Sequence, residues 1–298
     1  MPNQPLCEVF GYPVSNFSQD ANHARTNKIC PYKPGMAACT KDKANDPLGV
    51  CSMWDGATPV ILCPVRFLES GTIFRAVNEF LLPGVQNPRM VYEVRLVDAA
   101  GQNIGRIDGV LVGQENGTVT DFGALEIQAV YISGNIRSHF AYYIADPQNH
   151  YQTGNPAEKY PRADWLSSVK RIVHQFNAKG AILITEWGKR MALVAQSAFY
   201  RNFTLIHGIP ETTPDKADIA IFLYQHVHNP IENRYNLKLE QTVYIEFGEL
   251  LKRFTSIQAG NIEDFVAVLE RKIRGQGNND GSTPTNPSNP TIPGISDD

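Results

Sequence analysis

The fold is decided by residues 90–132, which read MVYEVRLVDAAGQNIGRIDGVLVGQENGTVTDFGALEIQAVYI. This stretch contains three runs rich in β-branched and aromatic residues, at positions 90–97, 104–112 and 119–132. The short segments between the runs carry the Asp, Asn and Gly residues that are typical of tight turns. The pattern therefore predicts a meander of three antiparallel strands.

Apolar residues at helical spacing surround this meander. Helices are predicted over residues 67–81, 164–180, 189–200, 247–254 and 262–273, and a buried strand over residues 217–224. Pro83 and Gly84 end the first helix, and Asp164 is placed to cap the second. For residues 189–200, a strand is the alternative to a helix. The order of these elements predicts an α/β fold with a mixed sheet flanked by helices.

The composition indicates a soluble globular protein. The chain has 298 residues, of which 42% are hydrophobic, and this is enough for a substantial core. No signal sequence or membrane-spanning apolar run is visible, so we expect cytoplasmic residence and no membrane partner. The net charge of −3 gives no overall attraction for a polyanion, so nucleic-acid binding needs a local basic surface. The most basic part of the middle region comprises Arg162, Lys170, Arg171, Lys189 and Arg190.

Four of the five cysteines lie near one another in the sequence, at Cys30, Cys39, Cys51 and Cys63. In a reducing cytosol, clustered cysteines are more often metal ligands than disulfides. Residues 1–65 show no sustained periodic pattern of apolar residues. A bound metal ion would hold the loops of such a segment together. Four thiolates most often bind zinc and less commonly iron, and four unlinked buried thiols are the alternative. A metal with four protein ligands would be structural.

These features predict three parts of the chain. Residues 1–65 form a loop-rich metal-binding unit built on the four cysteines, residues 66–274 form the main domain, and residues 275–298 form a disordered tail. The tail is composed mainly of small and polar residues, which cannot bury enough apolar surface to order themselves. Cys7 lies apart from the other cysteines, and we expect it to be a buried thiol.

Two acids on neighbouring strands form the candidate catalytic site. Because side chains alternate between the faces of a strand, Glu126 and Gln128 project to the same side. Asp108 lies on the preceding strand, where hairpin pairing can place it beside Glu126. Two carboxylates suit a magnesium ion, which can activate water and bind phosphate oxygens. The alternative is that both acids are solvated edge residues.

Other polar groups are weaker candidates. Asp121 is another candidate for the catalytic acid. It lies five residues before Glu126, and an odd separation along a regular strand places the two side chains on opposite faces. Glu93 either points into the active face or contacts a Lys or Arg. His226 and His228 resemble a ligand pair but are better explained as core or surface residues.

Five segments resemble the NotI-type restriction endonucleases, a branch of the PD-(D/E)xK nucleases. They are residues 30–32 (CPY), 49–52 (GVCS), 61–67 (ILCPVRF), 107–108 (ID) and 126–130 (EIQAV). The resemblance extends to about residue 227. It implies a nuclease-like core over residues 66–274 and an iron atom bound by the four cysteines.

The resemblance also implies roles for the acid pair. Asp108 and Glu126 would bind the catalytic magnesium, and Gln128 would hold the place where the wider superfamily carries a lysine. Gln128 brings no positive charge, so orientation of the attacking water is its expected role. Arg106 or a second metal is a candidate for the missing charge.

The expected function is type II restriction: magnesium-dependent, sequence-specific hydrolysis of double-stranded DNA, at a GC-rich palindrome by resemblance. A palindrome calls for two active sites related by a two-fold axis, so we expect a homodimer. One alternative is a metal-stapled nucleic-acid-binding protein that does not cut. Another is a repair or transposition nuclease without strict sequence choice.

Overall fold

The computed structural model of the protein describes residues 2–256 and 260–276. The strands are β1 (Leu6–Val9), β2 (Tyr12–Pro13), β3 (Val50–Asp55), β4 (Thr58–Ile61), β5 (Arg89–Val97), β6 (Asn103–Glu115), β7 (Thr118–Gln128), β8 (Tyr131–Ser133), β9 (Arg162–Asp164), β10 (Met191–Gln196), β11 (Ile219–Asn229) and β12 (Arg234–Ile245). The α-helices are α1 (Gln19–Thr26), α2 (Thr72–Leu81), α3 (Ile136–Ala145), α4 (Pro147–His150), α5 (Trp165–Gly180), α6 (Ser197–Asn202), α7 (Phe247–Thr255) and α8 (Ile262–Gln276).

A mixed six-stranded sheet carries the predicted meander. Its strand order is β12-β11-β10-β7-β6-β5. Strands β5, β6 and β7 are antiparallel neighbours, whereas β10 runs parallel to both β7 and β11. The predicted α/β class, with a mixed sheet and flanking helices, is therefore confirmed. The last predicted run divides in two, because β7 ends at Gln128 and β8 leaves the sheet to pair with β9.

The helix predicted over residues 189–200 is wrong in its first half. That half is β10, in which all six residues are buried between β7 and β11. A strand that is buried on both faces shows no polar alternation, so its pattern resembles that of a buried helix. Only Ser197–Asn202 is helical, as α6.

The other predicted elements are present with shifted ends. Asp164 caps α5, since its side chain accepts a 3.0 Å hydrogen bond from Ser167 N. The helix does not stop at Gly180 but continues as π-type turns over Ala181–Glu186. Before α2, residues Pro64–Gly71 form 3₁₀ turns instead of α-helix. Strand β11 and helices α7 and α8 are confirmed, whereas β12 and α3 were not predicted.

Helices cover both faces of the six-stranded sheet. On one face, the apolar side chains of α2 pack against Leu125, Ala192 and Val194. On the other face, Val169, Ile172 and Phe176 of α5 join the main core. The catalytic candidates lie on the α5 side, so this helix forms one wall of their surroundings.

The first 65 residues contain a four-stranded sheet of order β2-β1-β3-β4, together with α1. Much of the segment is loop, as predicted, but the sheet was not predicted. A buried charged network joins this sheet to the larger one. Arg66 Nε lies 3.2 Å from Glu8 Oε2, and both side chains are fully buried.

The described residues divide into two units, one within Met1–Thr255 and the other within Ser256–Asp298. The predicted boundary at residue 65 falls inside the first unit and stays a prediction. In the described part of the second unit, α8 has an amphipathic sequence. The predicted tail, residues 275–298, lies outside the described residues except for the last two positions of α8. Within the described residues, no helix has both the length and the apolarity needed to cross a membrane.

Candidate active site

Strand pairing places Asp108 opposite Glu126. Gly109–Leu125 is the last pair of the antiparallel ladder of β6 and β7, and continuing its register sets Asp108 opposite Glu126, close enough for their charges to interact. Directly opposed residues in an antiparallel pair present their side chains on the same face. The backbone N–H of Ile127 also donates a 2.8 Å hydrogen bond to Asp108 Oδ2. The structure therefore brings the two predicted acids together.

Glu126 is almost completely buried, with 1% of its surface exposed. Its Oε1 accepts a 2.6 Å hydrogen bond from Lys179 Nζ. Its Oε2 is buried and has no hydrogen-bond partner within the described residues. Burial raises the pKa of Glu126 to about 7; the Lys179 charge opposes the rise and the Asp108 charge adds to it. One oxygen of the central acid is thus left for a ligand.

Asp108 is half-buried at the edge of a cavity of about 440 Å³. Burial raises the pKa of Asp108, whereas the hydrogen bond from Ile127 and the charge of Lys179 lower it. The charged residues that line this cavity are Glu93, Arg106, Asp108, Arg171 and Lys179. We call this space the β6–α5 cavity, because most of its lining comes from those two elements. It is concave and polar, as a site for a phosphate backbone must be.

Gln128 lies on the same strand, two residues beyond Glu126. Its side chain is buried, and its Nε2 donates a hydrogen bond to Ala129 O. With Asp108 it lines a second, smaller cavity of about 150 Å³. Gln128 is therefore close to Asp108, and its amide is held by the backbone.

Glu93 lies on β5, in a part of the β5–β6 ladder where the pairing stays in register. Tyr92 pairs with Gly109 and Val94 with Ile107, so Glu93 lies opposite Asp108. Its φ of +56° is rare for a residue other than glycine and indicates local strain of the kind found near functional sites. Its Oε2 is 3.6 Å from Arg106 Nη1, and it lines the β6–α5 cavity. Both roles considered for this acid from the sequence are thus compatible with its position.

Asp121 is separated from this group. Its Oδ1 accepts a 2.7 Å hydrogen bond from Lys189 Nζ, and about half of its side chain is exposed. The pairing partner of Asp121 is Gly113, four residues along the ladder from Gly109. The rival acid therefore lies away from Glu126.

The two histidines at the end of β11 do not share a ligand position. His226 is buried, with its Nε2 2.9 Å from Glu8 Oε2, and burial lowers its pKa. His228 is exposed, with its Nε2 3.2 Å from Asn233 Oδ1. One is a core residue and the other a surface residue.

The four clustered cysteines lie on and beside the N-terminal sheet: Cys51 is on β3, Cys63 follows β4, and Cys30 and Cys39 lie on the segment between β2 and β3. An isolated bridge between Ile29 and Ala38 brings the backbones of Cys30 and Cys39 together. Cys63 N lies 3.3 Å from Cys51 O, which joins the other two.

Lys41 links the Cys30–Cys39 pair to the Cys51–Cys63 pair, because it follows Cys39 by two residues and its side chain contacts the backbone beside the other two cysteines. Its Nζ donates hydrogen bonds to Val50 O (2.7 Å) and Leu62 O (3.2 Å), the residues that precede Cys51 and Cys63.

All five cysteines are free thiols. Burial raises the pKa of Cys30, Cys39 and Cys51, and charge on neighbouring cysteines raises each of them further. However, no group of three or more Cys, His, Asp or Glu side chains in the described part of the chain is arranged to hold a metal ion. The expected iron or zinc site is therefore not supported by the structure, although its four thiols gather in one place.

The sequence matches the family model for restriction endonuclease NotI over residues 8–237. The chain belongs to the NotI restriction endonuclease family. It is therefore a type II restriction endonuclease, a site-specific deoxyribonuclease that acts on double-stranded DNA. Both alternatives left by the sequence, a binding protein without cleavage and a nuclease without strict sequence choice, are thereby set aside. A comparison with curated proteins gives no match.

Restriction endonucleases generally use Mg²⁺, and the acids of this NotI-family enzyme fit such an ion. Glu126 Oε2 is an acceptor that lacks a protein partner within the described residues, and Asp108 uses only one oxygen for Ile127. A buried acceptor of this kind is costly unless a ligand satisfies it. Magnesium is commonly bound by one or two carboxylates together with water and phosphate oxygens. Asp108 and Glu126 supply two such carboxylates.

Sequence reasoning missed Lys179, which lies against Glu126. Val169, Ile172, Phe176 and Lys179 follow one another at spacings of three and four along α5. Lys179 thus occupies a position of the apolar face, where a lysine is rarely found without a buried partner. That departure from the helical pattern was the available signal.

Proposed function

We propose that this NotI-family enzyme hydrolyses DNA phosphodiesters with magnesium held by Asp108 and Glu126. The proposal rests mainly on Glu126 Oε2, a buried acceptor without a partner in the described residues, beside a second acid at a polar cavity. A bound magnesium ion would lower the pKa of a coordinated water and offset charge on the phosphate. The core would then be of the PD-(D/E)xK type, in an E-x-Q form.

The protein's own residues would prepare the reaction. Asp108 is oriented by the N–H of Ile127, and Glu126 by Lys179. Gln128 is neutral and fixed, which suits the orientation of a water molecule. Arg171 lines both cavities and would contact the DNA backbone. These contacts position the reacting groups before DNA binds, which favours a direct attack by water.

The hydrolysis has a simple balance. The water oxygen forms a bond to phosphorus while the bond from phosphorus to one ester oxygen breaks. The water loses a proton to solvent, and the leaving oxygen takes up a proton. No covalent intermediate with the protein is needed.

We also propose that the enzyme cuts a GC-rich palindrome as a homodimer in the cytoplasm. Two-fold symmetry of the site would match two copies of the chain, each cutting one strand. Sedimentation of the protein with and without a DNA duplex would test this, since a monomer in both conditions contradicts it.

A structural metal at Cys30, Cys39, Cys51 and Cys63 is a further part of the proposal. It rests on the family resemblance and on the proximity of Lys41 to Cys39, Cys51 and Cys63, since a nearby positive charge favours thiolates. Iron follows from the family resemblance, and zinc is the alternative. The metal would stabilise the N-terminal sheet and take no part in cleavage.

Digestion of a plasmid with and without magnesium, followed by sequencing of the ends, tests the main proposal. Discrete fragments with identical end sequences, formed only with magnesium, are expected. A smear of fragments, or equal cleavage in the presence of a chelator, would contradict it.

A further inference from the structure

The reacting end of β7 carries no positive charge. Gln128 is neutral, and its Nε2 is already bonded to Ala129 O. Charge builds up on the phosphate oxygens during hydrolysis, and preorganised cations are the usual means of stabilising it. A cation close to Asp108 and Glu126 must therefore come from another element.

Lys179 is a cation at that place. It reaches in from the last turn of α5, and its side chain is 3% exposed. Its Nζ donates hydrogen bonds to Glu126 Oε1 (2.6 Å) and Arg106 O (2.5 Å). An ammonium group has three donors, so these two bonds leave one for another acceptor.

Lys179 is placed to do more than neutralise the charge of Glu126. Lys179 lines the β6–α5 cavity together with Asp108, whereas Glu126 is buried and does not line it. A phosphate that enters the cavity would therefore meet the lysine before the acid. Gly105 lies beside Lys179 Cε with a φ of +140°, where a larger side chain would be strained. Position 105 therefore contributes no side chain to the cavity wall beside Lys179.

We propose that Lys179 is a catalytic residue of this enzyme, whose ammonium group contacts the phosphate being cleaved and stabilises the charge that builds on its oxygens. It supplies from α5 the charge that Gln128 cannot supply from β7. The inference rests on the proposed function of Asp108 and Glu126. Lys179 exchanges no proton with the substrate in this role.

Single-turnover cleavage of a plasmid by Lys179→Met tests this role, with Gln128→Lys added in a double variant. Lys179→Met is expected to cleave about 100-fold more slowly at saturating magnesium, because one preorganised charge is lost. The double variant should recover at least about 10-fold of that loss, because the charge returns from the neighbouring strand position. A purely structural lysine would not be replaced in this way. DNA binding measured without magnesium should stay within about threefold.

Three results would overturn the inference. They are a rate for Lys179→Met within about threefold of the parent, full recovery of that variant by excess magnesium alone, and no recovery in the double variant. Lys252→Met is the matched control, since Lys252 is 73% exposed on α7 and should keep its rate. If the parent itself shows no magnesium-dependent cleavage, the proposed function fails instead.

Lys179→Arg decides the question if the methionine variant does not fold. Arginine keeps the positive charge and can still pair with Glu126, but its planar head places the charge differently. A catalytic lysine predicts a rate reduced by about 10-fold or more with an unchanged thermal midpoint. An unchanged rate would show that only the ion pair matters.

Discussion

The N–H of Ile127 donates a 2.8 Å hydrogen bond to Asp108 Oδ2, which ties β7 to β6 where their two acids meet. This bond fixes one carboxylate oxygen by means of the backbone. A carboxylate held in this way loses little conformational freedom when it binds a cation, which favours binding.

Replacement of Asp108 by alanine should abolish most cleavage. We expect a loss of about 100-fold or more in the single-turnover rate, because one of two magnesium ligands is removed. The matched control is Asp121→Asn, since Asp121 pairs with Lys189 away from Glu126. Cleavage assays on both proteins decide which acid matters, and a loss confined to Asp121→Asn would contradict the assignment.

Replacement of Arg66 by methionine should strongly destabilise the larger unit. Arg66 is fully buried and contacts Glu8, Glu69 and the carbonyl oxygen of Tyr235. Its loss leaves Glu8 charged and buried, which typically costs about 3–5 kcal/mol in the free energy of unfolding. Urea unfolding monitored by circular dichroism measures this change.

Arg137 provides a control for that measurement. It forms ion pairs with Asp42 and Asp46 at the surface, where its side chain is 34% exposed. Exposed pairs contribute about 0–1 kcal/mol, so Arg137→Met should have a small effect. Equal losses in the two variants would show that burial of the Arg66 network is not decisive.

The same network should make stability depend on acid pH. Burial raises the pKa of Glu8, but Arg66 and His226 outweigh it and lower the pKa from 4.5 to about 2. In that window the unfolded chain takes up a proton that the folded protein does not. The stabilisation is therefore complete above pH 4.5 and is lost as the pH falls toward 2.

Glu8→Gln isolates this contribution. The difference in unfolding free energy between the parent and the variant should shrink by about 3 kcal/mol between about pH 5 and about pH 2. Urea unfolding at several pH values measures it. A difference that stays constant over this range would mean that the Glu8 pKa is not lowered.

Replacement of Cys51 by serine tests the proposed structural metal. Metal analysis of the purified parent should find about one iron or zinc per chain, and the variant should lose it together with several degrees of thermal midpoint. Cys7→Ala is the control, because Cys7 lies outside the four clustered cysteines and should keep the metal. A parent without metal, or a serine variant with unchanged stability, would leave the cysteines as packing residues.

The antiparallel part of the fold could be predicted from the sequence. Strands β5, β6 and β7 are joined by turns with strong signals, and their alternation fixed which residues share a face. Glu126 and Gln128 therefore point as expected. The cap at Asp164 was predictable for a similar reason, because capping depends on local chemistry.

The parallel part could not be predicted in the same way. Strand β10 is buried between β7 and β11, and its partners are distant in the sequence. Its apolar run carries no information on whether it forms a strand or a helix, since tertiary contacts decide this.

The site predicted from the sequence was also incomplete, because some of its residues are brought together only by tertiary contacts. Lys179 meets Glu126 across 53 residues of sequence, a contact that only the packing of α5 on the sheet creates. The positive φ that Glu93 adopts opposite Asp108 likewise leaves no recognisable signal in the sequence. Side chains that approach from other elements therefore had to be found in the structure.

The most direct test of the acid pair is the cleavage rate of Glu126→Gln as a function of magnesium concentration. Glutamine keeps the size of the side chain and a hydrogen-bonding oxygen but removes the negative charge that binds the cation. We predict that this variant binds the DNA as well as the parent does, and that its cleavage is at least about 100-fold slower at every magnesium concentration. Cleavage within about threefold of the parent rate would contradict the assignment of Glu126 as a magnesium ligand.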